Sequence, residues 1–263
     1  MKTLNFYYEF QTEFKEDINT HYYSLKCLPK TEERQRIEDL KVYINSDYCS
    51  ISYDCFGNKM LYGYKEKKHN LLDVKIKGKA YVDWQYYDTD NKLATVYSLY
   101  TPYTNFDESM LPLVKECENL FYINDTNYQK ALKVMSVIYN FMTYEKGITN
   151  MNTLAKEAVL LKKGVCQDYS HIMLSILRYF KIPCRYVSGL LKGEVFTHSW
   201  VEVYSVGRWY GLDPTNNLLI DNNYIVFARG RDAKDTLVNK GIFYGTSKEQ
   251  VQKIEIKVEE YHD

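Results

Sequence analysis

The chain lacks any CxxC pair. Its six cysteines (Cys27, Cys49, Cys55, Cys117, Cys166 and Cys184) form no short-spaced framework, which argues against a disulfide scaffold. It lacks an excess of charge of either sign: 34 Lys and Arg balance 34 Asp and Glu, so there is no electrostatic footprint for nucleic acid or an acidic membrane surface. No run of about 18 apolar residues is present to span a bilayer, and Met1 to Glu9 holds no continuous apolar segment of signal-peptide length. There is no internal repeat or low-complexity tract. These absences lead us to expect a cytoplasmic protein with reduced thiols, no nucleic-acid partner and no membrane contact.

What remains is 263 residues, enough for one large domain or two ordinary ones. The 27 tyrosines fall mostly where strands or amphipathic faces are expected. Leu4, Phe6, Tyr8 and Phe10 alternate with polar neighbours, a period of two. Similar patches follow at 22–28, 40–45, 48–55, 59–64 and 72–83, with Gly57-Asn58 as a hairpin-like turn. The first hundred residues therefore read as an antiparallel sandwich or half-barrel. Within it, His21 and His69 stand among polar residues and are expected to be exposed. Cys27, Cys49 and Cys55 are expected to be buried as small hydrophobes.

Composition changes near Pro102. Helices are expected over 107–122, 128–144, 153–162 and 166–179, and strands over 185–190, 197–204, 208–212, 224–227, 241–244 and 252–259. The reading is an α+β chain divided into an N-terminal β-sandwich-like region, 1–100, and a second unit, 101–263.

Chemistry concentrates in the second unit. Cys166 follows a Gly164-Val165 turn at the head of a helix whose apolar face is Ile172, Met173, Ile176, Leu177 and Phe180. Gly164 suits such a turn because it tolerates positive φ. Unpaired N–H groups and the helix dipole favour a thiolate there. His198 begins a strand and shares a face with Trp200 and Glu202, where a rigidly held base can take a proton from a thiol. Asp213 ends the next strand, immediately before Pro214, and can accept the imidazole N–H, fix its tautomer and stabilise the imidazolium. His171, the rival base, lies about 140° round the helix from Cys166 and takes a structural role. It can hydrogen-bond Asp168, or the two can anchor the helix start. Cys166, Asp168, His171, Cys184 and His198 are all metal-ligand types, but their spacing fits no common zinc pattern, so neither metal nor cofactor is expected.

Taken together, the stretches 164–171, 197–203 and 212–216 resemble the bacterial transglutaminase-like superfamily. The stretches 228–235 and 240–245 are similar to its C-terminal segment, and 54–58 to its N-terminal β region. The resemblance implies a papain-like, transglutaminase-like catalytic domain after the β region, with Cys166, His198 and Asp213 as a triad, and Trp200 and Asn216 in support. It implies thiol-dependent acyl transfer on a peptide or protein amide. The foremost expectation is a cysteine peptidase or amidase that hydrolyses through a Cys166 thioester. The alternatives are a transglutaminase with an amine acceptor and a non-catalytic binding module. The oxyanion would be held by the Cys166 N–H and a second donor, Gln167 or Tyr144. No tryptophan stands just upstream of Cys166 as in animal transglutaminases, which favours hydrolysis over cross-linking.

Overall fold

The first strand, β1 (Lys2–Leu25), is 24 residues long, because inward-facing apolar residues recur at every second position almost throughout. The computed structural model describes residues 1–83, 87–88 and 94–261. After β1 come β2 (Gln35–Ile44), β3 (Tyr48–Tyr53), β4 (Lys59–Lys65), β5 (His69–Val82) and the two-residue β6 (Tyr87–Asp88). A helical stretch follows, with α1 (Ala94–Tyr97), α2 (Leu111–Leu120) and α3 (Asn127–Phe141), then β7 (Thr143–Tyr144), α4 (Ala155–Leu161), β8 (Lys163–Gly164) and α5 (Cys166–Tyr179). The chain ends in strands: β9 (Cys184–Leu191), β10 (His198–Ser205), β11 (Arg208–Asp213), β12 (Leu218–Leu219), β13 (Tyr224–Gly230), β14 (Lys240–Gly245) and β15 (Gln250–Glu260).

The first sheet is antiparallel and organised on β1. Its first half is flanked by β5 and β15 and its second half by β4 and β14, with β2 on β5 and β3 on β4. The last two strands of the chain thus return to the strand that opens it. Between Glu13 and Ile18 the β1–β5 register shifts, and Lys15, Glu16 and Asp17 are exposed there. That charged interruption is what made one strand look like two patches in the sequence.

The second sheet runs β12-β11-β10-β9-β13, with β6 added on β11. It is buried on both faces, so β9, β10 and β13 are almost wholly inaccessible and show little alternation. Val201, Val203 and Leu212 pack against the helices, with Ile172, Met173 and Ile176 of α5 in the same core. Val187, Trp200, Trp209 and Phe227 pack the other way, against Leu4, Phe6 and Tyr8 of the first sheet. The layers are therefore helices, second sheet, first sheet.

Two expectations about single residues are corrected. His21 and His69 are buried, their rings stacked with centroids 6.2 Å apart and planes 9° apart, because both side chains fall on the inward parity of their strands. Cys27 is buried as expected, but Cys49 is only half-buried and Cys55 is exposed, since β3 ends at Tyr53 and Cys55 sits in the following turn. Among the described residues, no helix is long and apolar enough to cross a membrane.

Candidate active site

Three structural ends meet at one point. Cys166 opens α5, His198 opens β10 and Asp213 closes β11. Strands β10 and β11 form an antiparallel hairpin, Val201 opposite Leu212, so the start of one and the end of the other lie at the same edge.

The head of α5 is fixed by Asp168. Its Oδ2 accepts the backbone N–H of Val165 at 2.8 Å and the Thr149 hydroxyl at 2.6 Å. Asp168 therefore anchors the helix start, one of the two roles expected of it, and makes no pair with His171. Gly164 is required for a reason other than the one read from the sequence. Its φ is not positive; a Cβ there would lie 2.4 Å from Asp168 Oδ2, so a close approach demands glycine. The left-handed position of this turn is taken by Lys162, φ 53°. His171 is fully buried and accepts the Ala233 N–H at Nε2, 3.2 Å, a structural role away from the thiol.

His198 Nε2 lies 2.7 Å from Asp213 Oδ2. The same oxygen accepts from Asn216 Nδ2 at 2.8 Å and from the Tyr224 hydroxyl at 2.9 Å, while Oδ1 accepts the backbone N–H groups of Thr215 and Asn216. Burial pushes the Asp213 carboxyl up, but these bonds, led by that from His198, outweigh it and hold the group below the usual carboxylate range. The ring nitrogen left for the thiol is Nδ1. Burial pulls His198 down, yet hydrogen bonds to Asp213 and Cys166 raise it to about 10. Burial raises the Cys166 thiol, and a hydrogen bond from His198, its charge, and the Ser199 hydroxyl and backbone N–H together bring it below its ordinary value. Trp200 stacks on His198, centroids 6.4 Å apart and 24° from parallel.

The two expected oxyanion donors are placed differently. Tyr144 sits opposite Gly164, the residue two before Cys166, in the short parallel β7–β8 pair. Burial, then the nearby Cys166, raise its hydroxyl, so it stays protonated and able to donate. Gln167 is also beside the thiol, but its amide donates to Asn150 O at 3.4 Å.

Ser199 and Tyr224 were missed by sequence reasoning. Ser199 lies on the opposite strand face from His198, the face on which α5 packs; its hydroxyl is 3.4 Å from that of Ser170 on α5. Tyr224 lies in an apolar run. A buried tyrosine hydroxyl needs a partner, which is a signal, but only the sheet order identifies the partner as Asp213.

Cys166 and His198 open into a cleft of about 280 Å³, whose far wall includes Tyr8 of β1 and Gln252 and Ile254 of β15. A larger hollow on the first sheet, about 360 Å³ beside Tyr7, Lys77 and Lys257, contains none of these groups. Among the described residues, no three His, Cys, Asp or Glu side chains are grouped to hold a metal ion.

Residues 119–214 match the family model described as the transglutaminase-like superfamily, a span that includes Cys166, His198 and Asp213. The chain is 37% identical over 139 residues to an uncharacterized protein of Mycobacterium tuberculosis, covering 47% of this chain and 44% of that one. It is 36% identical over 114 residues to one of Mycobacterium leprae, covering 40% of each. The match thus spans less than half the length of these curated relatives. Among solved structures, a candidate cysteine protease from Cytophaga hutchinsonii superposes with a TM-score of 0.83 at 18% identity, over all of this chain and 91% of that one. At that identity the likeness is one of fold: an antiparallel sheet joined to a transglutaminase-like core of papain-like architecture.

Proposed function

We propose that this chain, a member of the transglutaminase-like superfamily, is a thiol-dependent acyl-transfer enzyme acting as a cysteine peptidase or amidase. The observation that carries the reading is the pairing of a thiol held below its ordinary value with an imidazole held at about 10 and bonded to a buried carboxylate at 2.7 Å. Near neutral pH that pair rests as Cys166 S⁻ and His198 H⁺. The sulfur attacks the carbonyl carbon of an amide, and the oxyanion takes hydrogen bonds from the Cys166 N–H and the Tyr144 hydroxyl. His198 gives its Nδ1 proton to the leaving nitrogen, the C–N bond breaks, and a Cys166 thioester and a free amine result. Neutral His198 then takes a proton from water, hydroxide adds to the thioester, and the carboxylic acid leaves with the thiolate restored.

Tyr144 is preferred over Gln167 because its hydroxyl feels the Cys166 charge and stays protonated, whereas the Gln167 amide, which borders the cleft, is bonded to Asn150. Asp213 keeps Nε2 protonated and so reserves Nδ1 for the thiol. The test is iodoacetamide labelling of all six cysteines across pH, read by peptide mass spectrometry, beside turnover of a peptide amide with and without a primary amine. Cys166 is expected to label fastest at pH 6–7, and Cys166→Ala to abolish turnover. Labelling of Cys166 no faster than the other cysteines, rising only near pH 8.5, would remove the reading. An amine adduct in place of the free acid would move the assignment from hydrolase to transferase.

A further inference from the structure

Apart from the Cys166–His198 pair itself, the cleft is built without fixed charge. No Asp, Glu, Lys or Arg stands among its described lining residues, although such residues make up 26% of the chain. Its other ionisable groups are Tyr8 and Tyr186, and burial pushes both hydroxyls up from the ordinary tyrosine value, so they stay neutral. The remaining polar groups are hydroxyls and carboxamides, among them Thr236 and Asn239 before β14 and Gln252 on β15. Among charged residues close in sequence to the lining, Lys240 beside Asn239 is exposed and borders the adjoining hollow instead, and three others are engaged elsewhere. Lys146 stands 4.5 Å over the ring of Phe196, Lys234 donates to Asn152 at 2.9 Å, and Asp168 is committed to Val165 and Thr149.

A charged side chain brought against such walls loses hydration and meets no fixed counter-ion, whereas a carboxamide, hydroxyl or apolar side chain loses little and finds partners. The walls also come from both sheets. Tyr8, Gln252 and Ile254 belong to the first, so the β region that opens the chain shapes what reaches the thiol.

Resting on the thiol acyl-transfer reading above, we infer that the cleft selects amide substrates whose residue beside the reacting carbonyl is uncharged. Asn239 and Gln252, carboxamides that line this cleft and also border the adjoining hollow beside His21 and Phe243, are the positions from which an introduced charge would act on that selection. Asn239 is half-buried and Gln252 exposed, so a charge placed at Asn239 is screened less by solvent.

The test uses acetyl-dipeptidyl vinyl sulfones that differ only in the residue next to the electrophile: Gln, Leu, Lys or Glu. The second-order rate of Cys166 alkylation is read by mass spectrometry on the full chain. The Gln and Leu reagents are expected to react about tenfold or more faster than Lys and Glu. In Asn239→Asp the Lys-to-Leu rate ratio should rise about tenfold and the Glu-to-Leu ratio fall. Gln252→Glu should move both ratios the same way by less. Ratios within one variant cancel any change in the thiol itself. Lys and Glu reagents reacting within twofold of Leu, or ratios unmoved by Asn239→Asp, overturn the inference. If no reagent labels Cys166 ahead of the other cysteines, the thiol reading fails first and this inference falls with it.

Discussion

At the scale of single residues, the site depends on how completely Asp213 is satisfied. Five hydrogen bonds converge on its two oxygens, from His198, Tyr224, the Asn216 amide and two backbone N–H groups. A carboxylate held this way stays ionised at full burial and can keep His198 charged. The His198 value is raised above its unfolded one, so its contribution to stability is complete below about pH 6.5 and is lost as pH rises through about 10. The active pair follows the same limit on the alkaline side. Asp213→Asn keeps the shape and removes the charge; turnover should fall on the order of 10²–10⁴-fold, with the alkaline limb moving towards neutrality. Tyr224→Phe removes one of the five bonds, and about 1 kcal/mol of support should appear as a smaller acidward shift of that limb with a several-fold loss of rate. A variant that melts earlier but keeps the wild-type pH profile would reduce Tyr224 to a packing role.

At the scale of elements, legibility followed local periodicity. The bounds of α5 were readable in full because its apolar spacing, Cys166 at the head and Pro183 beyond the end are all local signals. The two consecutive strands that carry His198 and Asp213 were equally plain. What could not be read was anything set by a neighbour in space. Gly164 is dictated by the Asp168 side chain, and Ser199 by the arrival of α5 on its face. The burial of His21 and His69 is a property of sheet order, since polar flanking residues conceal their inward parity. That misreading has a measurable counterpart. Burial, then the nearby His69 and Lys65, hold His21 down to about 4. A histidine with a lowered folded value favours the native state above its unfolded value, near 6.5, and that preference is lost as pH falls from there through about 4. On the order of 2 kcal/mol is at stake after screening. His21→Leu should therefore lose less stability between pH 7 and 4.5 than the wild type, read by thermal melts at both values. Equal losses would place the acid sensitivity elsewhere.

At the scale of the whole molecule, the division near residue 100 does not yield two separate cores. Leu4, Phe6 and Tyr8 share one with Trp200, Trp209 and Phe227, and β14 and β15 have β1 as their pairing partner. Two amide side chains sew the halves together. Gln35 accepts the Val226 N–H at 2.7 Å and donates to its carbonyl at 3.0 Å. Asn58 does the same for Arg229, at 2.8 and 2.7 Å. Each imitates a neighbouring strand along the edge of β13, satisfying backbone groups that would otherwise be buried unpaired. The ion pair of Arg229 with Glu32, 2.7 Å, and with Glu202, 2.8 Å, lies on the same seam. Losing one such amide strands a backbone N–H and a carbonyl, at about 1–3 kcal/mol each. Asn58→Ala should therefore lower the urea midpoint while leaving a single transition, with tryptophan fluorescence and far-ultraviolet dichroism still coincident. The fragment 101–263 should fail to fold alone, since it keeps β14 and β15 but not the strand they pair with. A cooperative melt from that fragment, with native-like tryptophan emission, would show that the second half carries a sufficient core of its own. The first sheet would then serve as an added cleft wall and not as part of the folding unit.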